Sequence, residues 1–397
     1  MSFLVAVLGL AFLILIHEAG HFFTARAVGM SPRKFYLGFP PALVRVRRKG
    51  IEYGVGAIPL GGYVKIPGMH RPAPRDLDLR LERAVKAEPE LAKPLEAVKR
   101  KLARGDYDGA RSALDELDAG LRAANQPTSV LADVRDSLAP DAYWRQRTWK
   151  KVAVILAGPG TNLLFTVVIF AVLLMLGGGK PTTTVDVVVA DTPAAKVGLQ
   201  TGDRIVSIDG KHVEPRDIPR TISGSGGGAV TLAVSRDGRT VVLGPVRPEK
   251  REGVYRLGFV LRGQGMGAPA ALKQSVRVTG WVSRDIITSL GNLAHSKGRE
   301  DISSPVGIVQ GSSAAVDEGT QNYLWVLGLI SLSLALLNLL PLLPLDGGHI
   351  FFSLIEAVRG RAVAREVYER VSAIGIALVL MLFFIGLSND VSRIGGG

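Results

Sequence analysis

His17-Glu18-Ala19-Gly20-His21 sets two imidazoles four residues apart with a carboxylate between them. On a helix, positions i and i+4 share a face, so both rings reach one metal while Glu18, one step round, faces a water beside it. Zinc suits such a pair: with neutral nitrogen ligands and one open position it draws the pKa of a coordinated water towards neutrality, and a nearby carboxylate can then take the proton. The chemistry implied is metal-assisted hydrolysis, with His17 and His21 as ligands and Glu18 as the catalytic base. Among 397 residues there are six histidines and no cysteine. Disulfides and thiolate sites are thereby excluded, and any metal must be held by His and carboxylate.

Catalytic zinc usually takes three protein ligands, and nothing in the turns following His21 supplies another. The distant candidate is Asp346, in the run NLLPLLPLDGGH at 338–349. Prolines there break a helix and glycines let the backbone turn, a framework suited to presenting a carboxylate. His349 is a rival ligand or an outer partner, and a water-exposed helix cap is the plainer role for Asp346; the carboxylate is favoured as ligand. Asn338 and Pro341 allow two readings. Asn338 either bonds a neighbouring helix, or sits with Pro341 in an unwound stretch offering polar groups to an extended substrate or to an oxyanion. Gly158-Pro159-Gly160-Thr161-Asn162 reads as close helix packing, with Asn162 as an interhelical bond and no catalytic role.

These residues must be carried by apolar elements. Four stretches, roughly 2–28, 151–177, 321–343 and 371–388, approach or exceed the ~20 residues that cross a hydrocarbon layer. A cleavable leader is the alternative for the first, but no basic stretch precedes its apolar run and His17, Glu18 and His21 lie in its continuation. Ionisable groups inside an apolar span are costly and mark function by default. Arg33, Lys34, Arg45, Arg47, Arg48 and Lys49 follow the first span, Arg145, Arg147, Lys150 and Lys151 lead into the second, and Arg359, Arg361, Arg365 and Arg370 fill the link between the third and fourth. Cations near span ends stay cytoplasmic, so both chain ends are expected outside the cytoplasm. Spans one and three then run in the same direction, which lets His17, His21 and Asp346 meet at one depth near the cytoplasmic side.

The expected organisation is a first span at 1–30 carrying HEAGH, a membrane-associated β-hairpin region at 31–68, a charged helical cytoplasmic insert at 69–147 and a second span at 148–178. There follow a β-rich extracytoplasmic domain at 181–264, an amphipathic helix and linker at 265–320, a third span with NLLP and LDG at 321–349, a cytoplasmic link at 350–370 and a fourth span at 371–390. The insert reads as a solvated helical hairpin without chemistry. A net charge of +13 raises nucleic acid as a partner, but no aromatic-interleaved basic patch or reading motif accompanies it, so no nucleic-acid partner is expected. The basic cytoplasmic loop is expected to meet the anionic headgroups of the lipid bilayer instead.

Taken together, HEAGH, PLGGYVK at 59–65, AGPGTNLL at 157–164, SSPVGIVQG at 303–311, NLLPLLPLDGGH at 338–349 and the terminal ERVSAIGIALVLMLFFIGLSNDVSRI resemble the site-2 protease family of zinc intramembrane metalloproteases, in its bacterial regulator-of-sigma-E protease type. The resemblance covers most of the chain; the insert near 69–145 departs from it. It implies a bacterial inner-membrane, multi-pass protein with zinc on His17, His21 and Asp346 and the base at Glu18. It also implies that Gly61, Gly62 and Tyr63 lie in a membrane-dipping hairpin that pairs with an extended substrate. Within the β-rich segment, PAAKVGLQTGDRIVSIDG at 193–210 resembles a PDZ domain, whose end-binding loop would fall at Leu257, Gly258 and Phe259. The fold class expected is thus an α-helical polytopic membrane protein of four transmembrane helices, with a membrane-associated β-hairpin and an inserted β-rich PDZ-like domain.

Three readings compete, one of them a membrane-anchored zinc protease that cuts soluble or surface-exposed substrates as readily as membrane segments. Another is a zinc endopeptidase cutting single-span membrane proteins, such as anti-sigma factors or remnant signal peptides, during regulated intramembrane proteolysis. The third is a non-catalytic membrane adaptor that binds peptide ends through the PDZ-like domain; zinc content separates the adaptor from the other two, and the intact HEAGH favours an enzyme.

Overall fold

In a computed structural model, residues 1–178, 180–251, 253–292 and 303–395 are described. Helix α1 (Ser2–Ala27) is apolar on all sides, as a helix facing lipid must be. Strands β1 (Lys34–Arg48) and β2 (Ile51–Lys65) follow. They make more than the expected hairpin, because both double back. Lys34–Leu37 lies between 52–55 and 62–65, while 42–48 pairs with 51–56. Gly54 and Gly56 permit this: a Cβ on Gly54 would stand 2.1 Å from the Tyr36 ring, and one on Gly56 would stand 2.2 Å from the Phe39 carbonyl oxygen. The segment 62–65 is left on an edge.

The insert consists of α2 (Pro74–Ala87), α3 (Ala92–Ala103), α4 (Tyr107–Ala123) and α5 (Ala132–Leu138). Apolar positions at helical spacing give it a core of its own, with Leu95, Val98, Leu114, Leu117, Leu121 and Leu138 all buried. Four helices therefore stand where a hairpin was expected. Ion pairs fasten α5 and the loop after it to the base of the sheet: Lys65 meets Asp133 at 2.7 Å and Asp136 at 2.8 Å, and Arg33 meets Asp136 at 3.1 Å and Asp141 at 3.2 Å.

Helix α6 (Thr148–Leu173) contains Pro159 and ends in a π-turn at Leu174–Gly178. Helix α10 (Pro305–Glu318) leads into α11 (Thr320–Asn338). After a turn, α12 (Asp346–Arg359) and α13 (Arg365–Gly395) complete the chain. The third span thus ends at Asn338, earlier than expected, because Pro341 and Pro344 cannot continue it. Asp346 does not end that span: it opens a new helix, and α12 occupies much of the stretch expected as a link. The turn is packed tightly, since a Cβ on Gly347 would meet the Leu339 carbonyl oxygen at 2.3 Å and one on Gly375 of α13 would meet that of Leu343 at 1.6 Å. On α13, Asp390 accepts hydrogen bonds from the Ser304 and Gly307 amides at 2.8 and 3.1 Å, which caps α10. Among the described residues, four helices, Ser2–Ala27, Thr148–Gly178, Thr320–Asn338 and Glu366–Ser392, are long and apolar enough to cross a membrane.

Residues 167–281 form a separate compact unit. Its sheet runs β10 (Phe259–Gln264), β3 (Lys180–Val188), β4 (Arg204–Ile208), β6 (Val230–Arg236) and β7 (Arg239–Val246), with β10 on an edge. Alternation of buried and exposed residues along β6 packs Val230, Leu232 and Val234 against Ile205, Ile208 and Leu257. The amphipathic helix expected within 265–320 is α9 (Ala268–Asn292). The linker's 293–302 lies outside the described residues.

Candidate metal centre

Two glycines allow α1 and α6 to touch backbone to backbone. A Cβ on Gly20 would stand 2.4 Å from the Ala157 carbonyl oxygen, and one on Gly158 would stand 2.2 Å from His21 Nε2. The His21 ring occupies that space, and its Nδ1 lies 2.8 Å from the Val154 carbonyl oxygen. A carbonyl can only accept, so the proton is assigned to Nδ1, which leaves the Nε2 lone pair for a metal. Thr161 Oγ1 lies 2.7 Å from the Gly158 carbonyl oxygen and 3.0 Å from that of Ile16, so its one proton is shared between its own helix and the turn of α1 that carries His17.

Asp346 enters from the first turn of α12. Its Oδ2 is 3.2 Å from His17 Nε2 and 3.3 Å from His21 Nε2, and the two Nε2 atoms are 3.3 Å apart. Around a tetrahedral ion with bonds of ~2.1 Å, ligand atoms stand about 3.4 Å from one another. The three atoms fit that spacing on every edge. Both rings are 7% exposed, and Asp346 Oδ2, although beside two imidazoles, has no well-directed hydrogen bond among the described residues. A buried carboxylate oxygen in that position is matched to a cation it shares with the rings. Among the described residues, His17, His21 and Asp346 are the group of His and carboxylate side chains close enough for one ion. His349, one turn further along α12, is not in it.

Glu18 lies where the edge of the sheet meets α1. A Cβ on Gly62 would stand 2.2 Å from Glu18 Cγ, so only glycine lets the strand approach this far, and the Val64 backbone hydrogen-bonds to the Glu18 carboxylate. Gly61 has φ +136°, open to glycine but rarely to other residues. Tyr63 stacks on buried Tyr36 with ring centroids 6.5 Å apart, and the Tyr36 hydroxyl donates to buried Glu52. Asn338 closes α11, and Pro341 lies exposed in the following turn. Leu257, Gly258 and Phe259 belong to the separate β-rich unit, where they line a cavity with Ile218, Pro219 and Ile222 of α8 (Asp217–Gly224).

The sequence reading missed Gly158 and the Val154 carbonyl as parts of this site. It took the Gly-Pro-Gly run for packing alone, although a glycine within an apolar run of a second span was the available signal. Asn162 was expected to bond across helices through its side chain. Instead its backbone carbonyl accepts from Ser331 Oγ at 2.9 Å and from Thr166 Oγ1 at 3.0 Å.

Comparison with known proteins gives the family. The family model for peptidase family M50 matches residues 5–382. The zinc metalloprotease RasP of Geobacillus kaustophilus is 28% identical over 409 residues, covering 96% of this chain and 95% of its own. A protein of Mesorhizobium japonicum named as a zinc metalloprotease is 31% identical over 405 residues, 96% of each chain. Another from Agrobacterium fabrum is 28% identical over 413 residues, 98% of this chain and 95% of that one. The chain belongs to peptidase family M50 and is a zinc metalloprotease with membrane-spanning helices.

Proposed function

We propose that this protease is an endopeptidase acting on single-span membrane proteins, of the anti-sigma factor or remnant signal peptide class, within or beside the bilayer. His17, His21 and Asp346 hold the zinc, and Glu18 moves the proton. The observation that carries the reading is the triangle of three ligand atoms, 3.2–3.3 Å on each edge, built by two remote segments beside an apolar span. When bound, zinc supplies an acidified water and polarises the scissile carbonyl. The Nδ1–H of His21, given to Val154, fixes which nitrogen faces the site. Glu18 accepts the proton from the attacking water and delivers it to the leaving amine. A peptide bond must be unwound from a helix before attack, and the edge at 62–65, with Gly61, Gly62 and Tyr63, offers backbone groups to an extended strand beside Glu18. Asn338 and Pro341, at the broken end of α11, are assigned to the same extended substrate.

In the β-rich unit, edge strand β10 and helix α8 border a cavity of about 750 Å³ with Leu257, Gly258 and Phe259 at its rim. This supports a PDZ-like role in receiving a trimmed substrate end or filtering by size. The basic flanks of spans two and four support an orientation with both termini outside the cytoplasm of a bacterial inner membrane. Glu18→Gln tests the mechanism. The variant is expected to keep its zinc and to cleave no model transmembrane substrate; turnover by the zinc-loaded variant would remove Glu18 from the chemistry.

A further inference from the structure

The ends of α6, α12 and α13 enclose a cavity of about 530 Å³ that no step of the proposed reaction uses. It is of a size that holds small molecules. Its wall carries Arg71, Lys151 and Arg361, and one carboxylate, Glu356, is in the lining. That carboxylate is already engaged, since Oε1 accepts from the Val363 amide at 3.0 Å and Oε2 stands 3.6 Å from Lys151 Nζ. Lys151 is 9% exposed; besides Glu356 its ammonium faces the Tyr143 ring, 5.7 Å from the ring centre, and neither is a close hydrogen-bond partner, an arrangement that favours a further anion. Among the described residues, neither Arg71 nor Arg361 meets a carboxylate. Arg71 is held in place by aromatic rings: its Cζ lies 5.0 Å from the Trp144 ring centre and 5.9 Å from that of Tyr107. A guanidinium stacked by its face keeps its N–H edge for a planar or tetrahedral oxyanion.

Depth selects the ligand. Thr148 opens the second span and Glu366 the fourth, so the cavity lies where hydrocarbon gives way to headgroups. Trp149, 58% exposed in the first turn of α6, is placed as an interfacial anchor. Basic pockets between spans at this level take lipid phosphate. We propose that this cavity binds a phosphate oxyanion carried by an anionic phospholipid headgroup, with Arg71, Lys151 and Arg361 as its contacts.

Native mass spectrometry of the full chain, stripped of lipid in detergent, tests this. The protein is titrated with dioleoylphosphatidylglycerol or dioleoylphosphatidylcholine, and a separate arm measures thermal stability in inorganic phosphate. The intact protein is expected to retain one phosphatidylglycerol in preference to phosphatidylcholine. Arg71→Gln/Arg361→Gln is expected to weaken that retention by at least ~10-fold while zinc content is unchanged. Each single substitution is expected to give a smaller loss, which keeps the test decisive should the double variant fail to fold. Stabilisation by inorganic phosphate alone, lost in the same variants, would uphold the oxyanion site and make its source soluble. Equal retention of both lipids with no effect of phosphate, or retention indifferent to the substitutions, would overturn the proposal.

Discussion

His21 works through both ring nitrogens, and the neighbour that sets one of them is a backbone atom of another helix. Because Gly158 leaves room for the ring and Val154 accepts from Nδ1, the nitrogen proposed as the ligand is aimed before any metal arrives. Gly158→Ala would put a methyl group 2.2 Å from Nε2. Outer partners of metal-binding histidines are typically worth ~10–100-fold in affinity, so zinc competition against a chelator is expected to show a loss in that range. Unchanged affinity would mean that the ring is placed by other contacts. His17, Glu18 and His21 were legible at this scale because helical spacing alone puts the two imidazoles on one face. Val154 was not, since a carbonyl belongs to every residue type and leaves no mark in a sequence. Asp346 was legible as a side chain but not as the opening residue of a helix, because Pro341 and Pro344 end α11 sooner than the run of leucines suggests.

At the scale of elements, the sheet between the first two spans is shaped by its glycines. The alternation of β-branched and aromatic residues announced strands, yet the doubling back that leaves 62–65 on an edge depends on close backbone approaches at Gly54 and Gly56, which periodicity does not encode. In the insert, helical spacing identified the helices, but their packing into one core around Leu114, Leu117 and Leu121 is a tertiary matter. The β-rich unit has its own titratable clasp. Asp203, 1% exposed, takes two hydrogen bonds from Arg236, each 2.7 Å, and one from the Gln200 amide at 2.8 Å. The Arg236 hydrogen bonds, more than any other influence, hold the carboxyl below its usual value. A carboxyl whose pKa is lower folded than unfolded stabilises the fold above the unfolded value of ~3.9 and loses that contribution as pH falls through the folded one. Hydrogen-exchange protection in this unit of the full chain, taken relative to the intrinsic rate at each pH, is therefore expected to fall below pH ~4, and Asp203→Asn to flatten that dependence. An identical acid limb in the variant would place the sensitivity elsewhere.

For the whole molecule, four apolar helices and a ring of basic flanks make the membrane the solvent that decides the architecture. Composition alone gave the spans, because no soluble fold needs stretches so long and apolar. Orientation is a separate inference from the positions of Lys and Arg: an alkaline phosphatase fused after residue 395 is expected to be active outside the cytoplasm, and one inserted within 76–130 inactive. The reverse pattern would invert the chain and move the site to the other face. In the proposed mechanism, hydrolysis depends on α1 and α12 meeting around one ion. Zinc per purified chain, measured for the wild type and for Asp346→Ala, tests this most directly. About one ion per chain is expected to fall close to zero when the carboxylate is removed from its two imidazoles. A variant that binds zinc as fully and as tightly as the wild type would contradict the account.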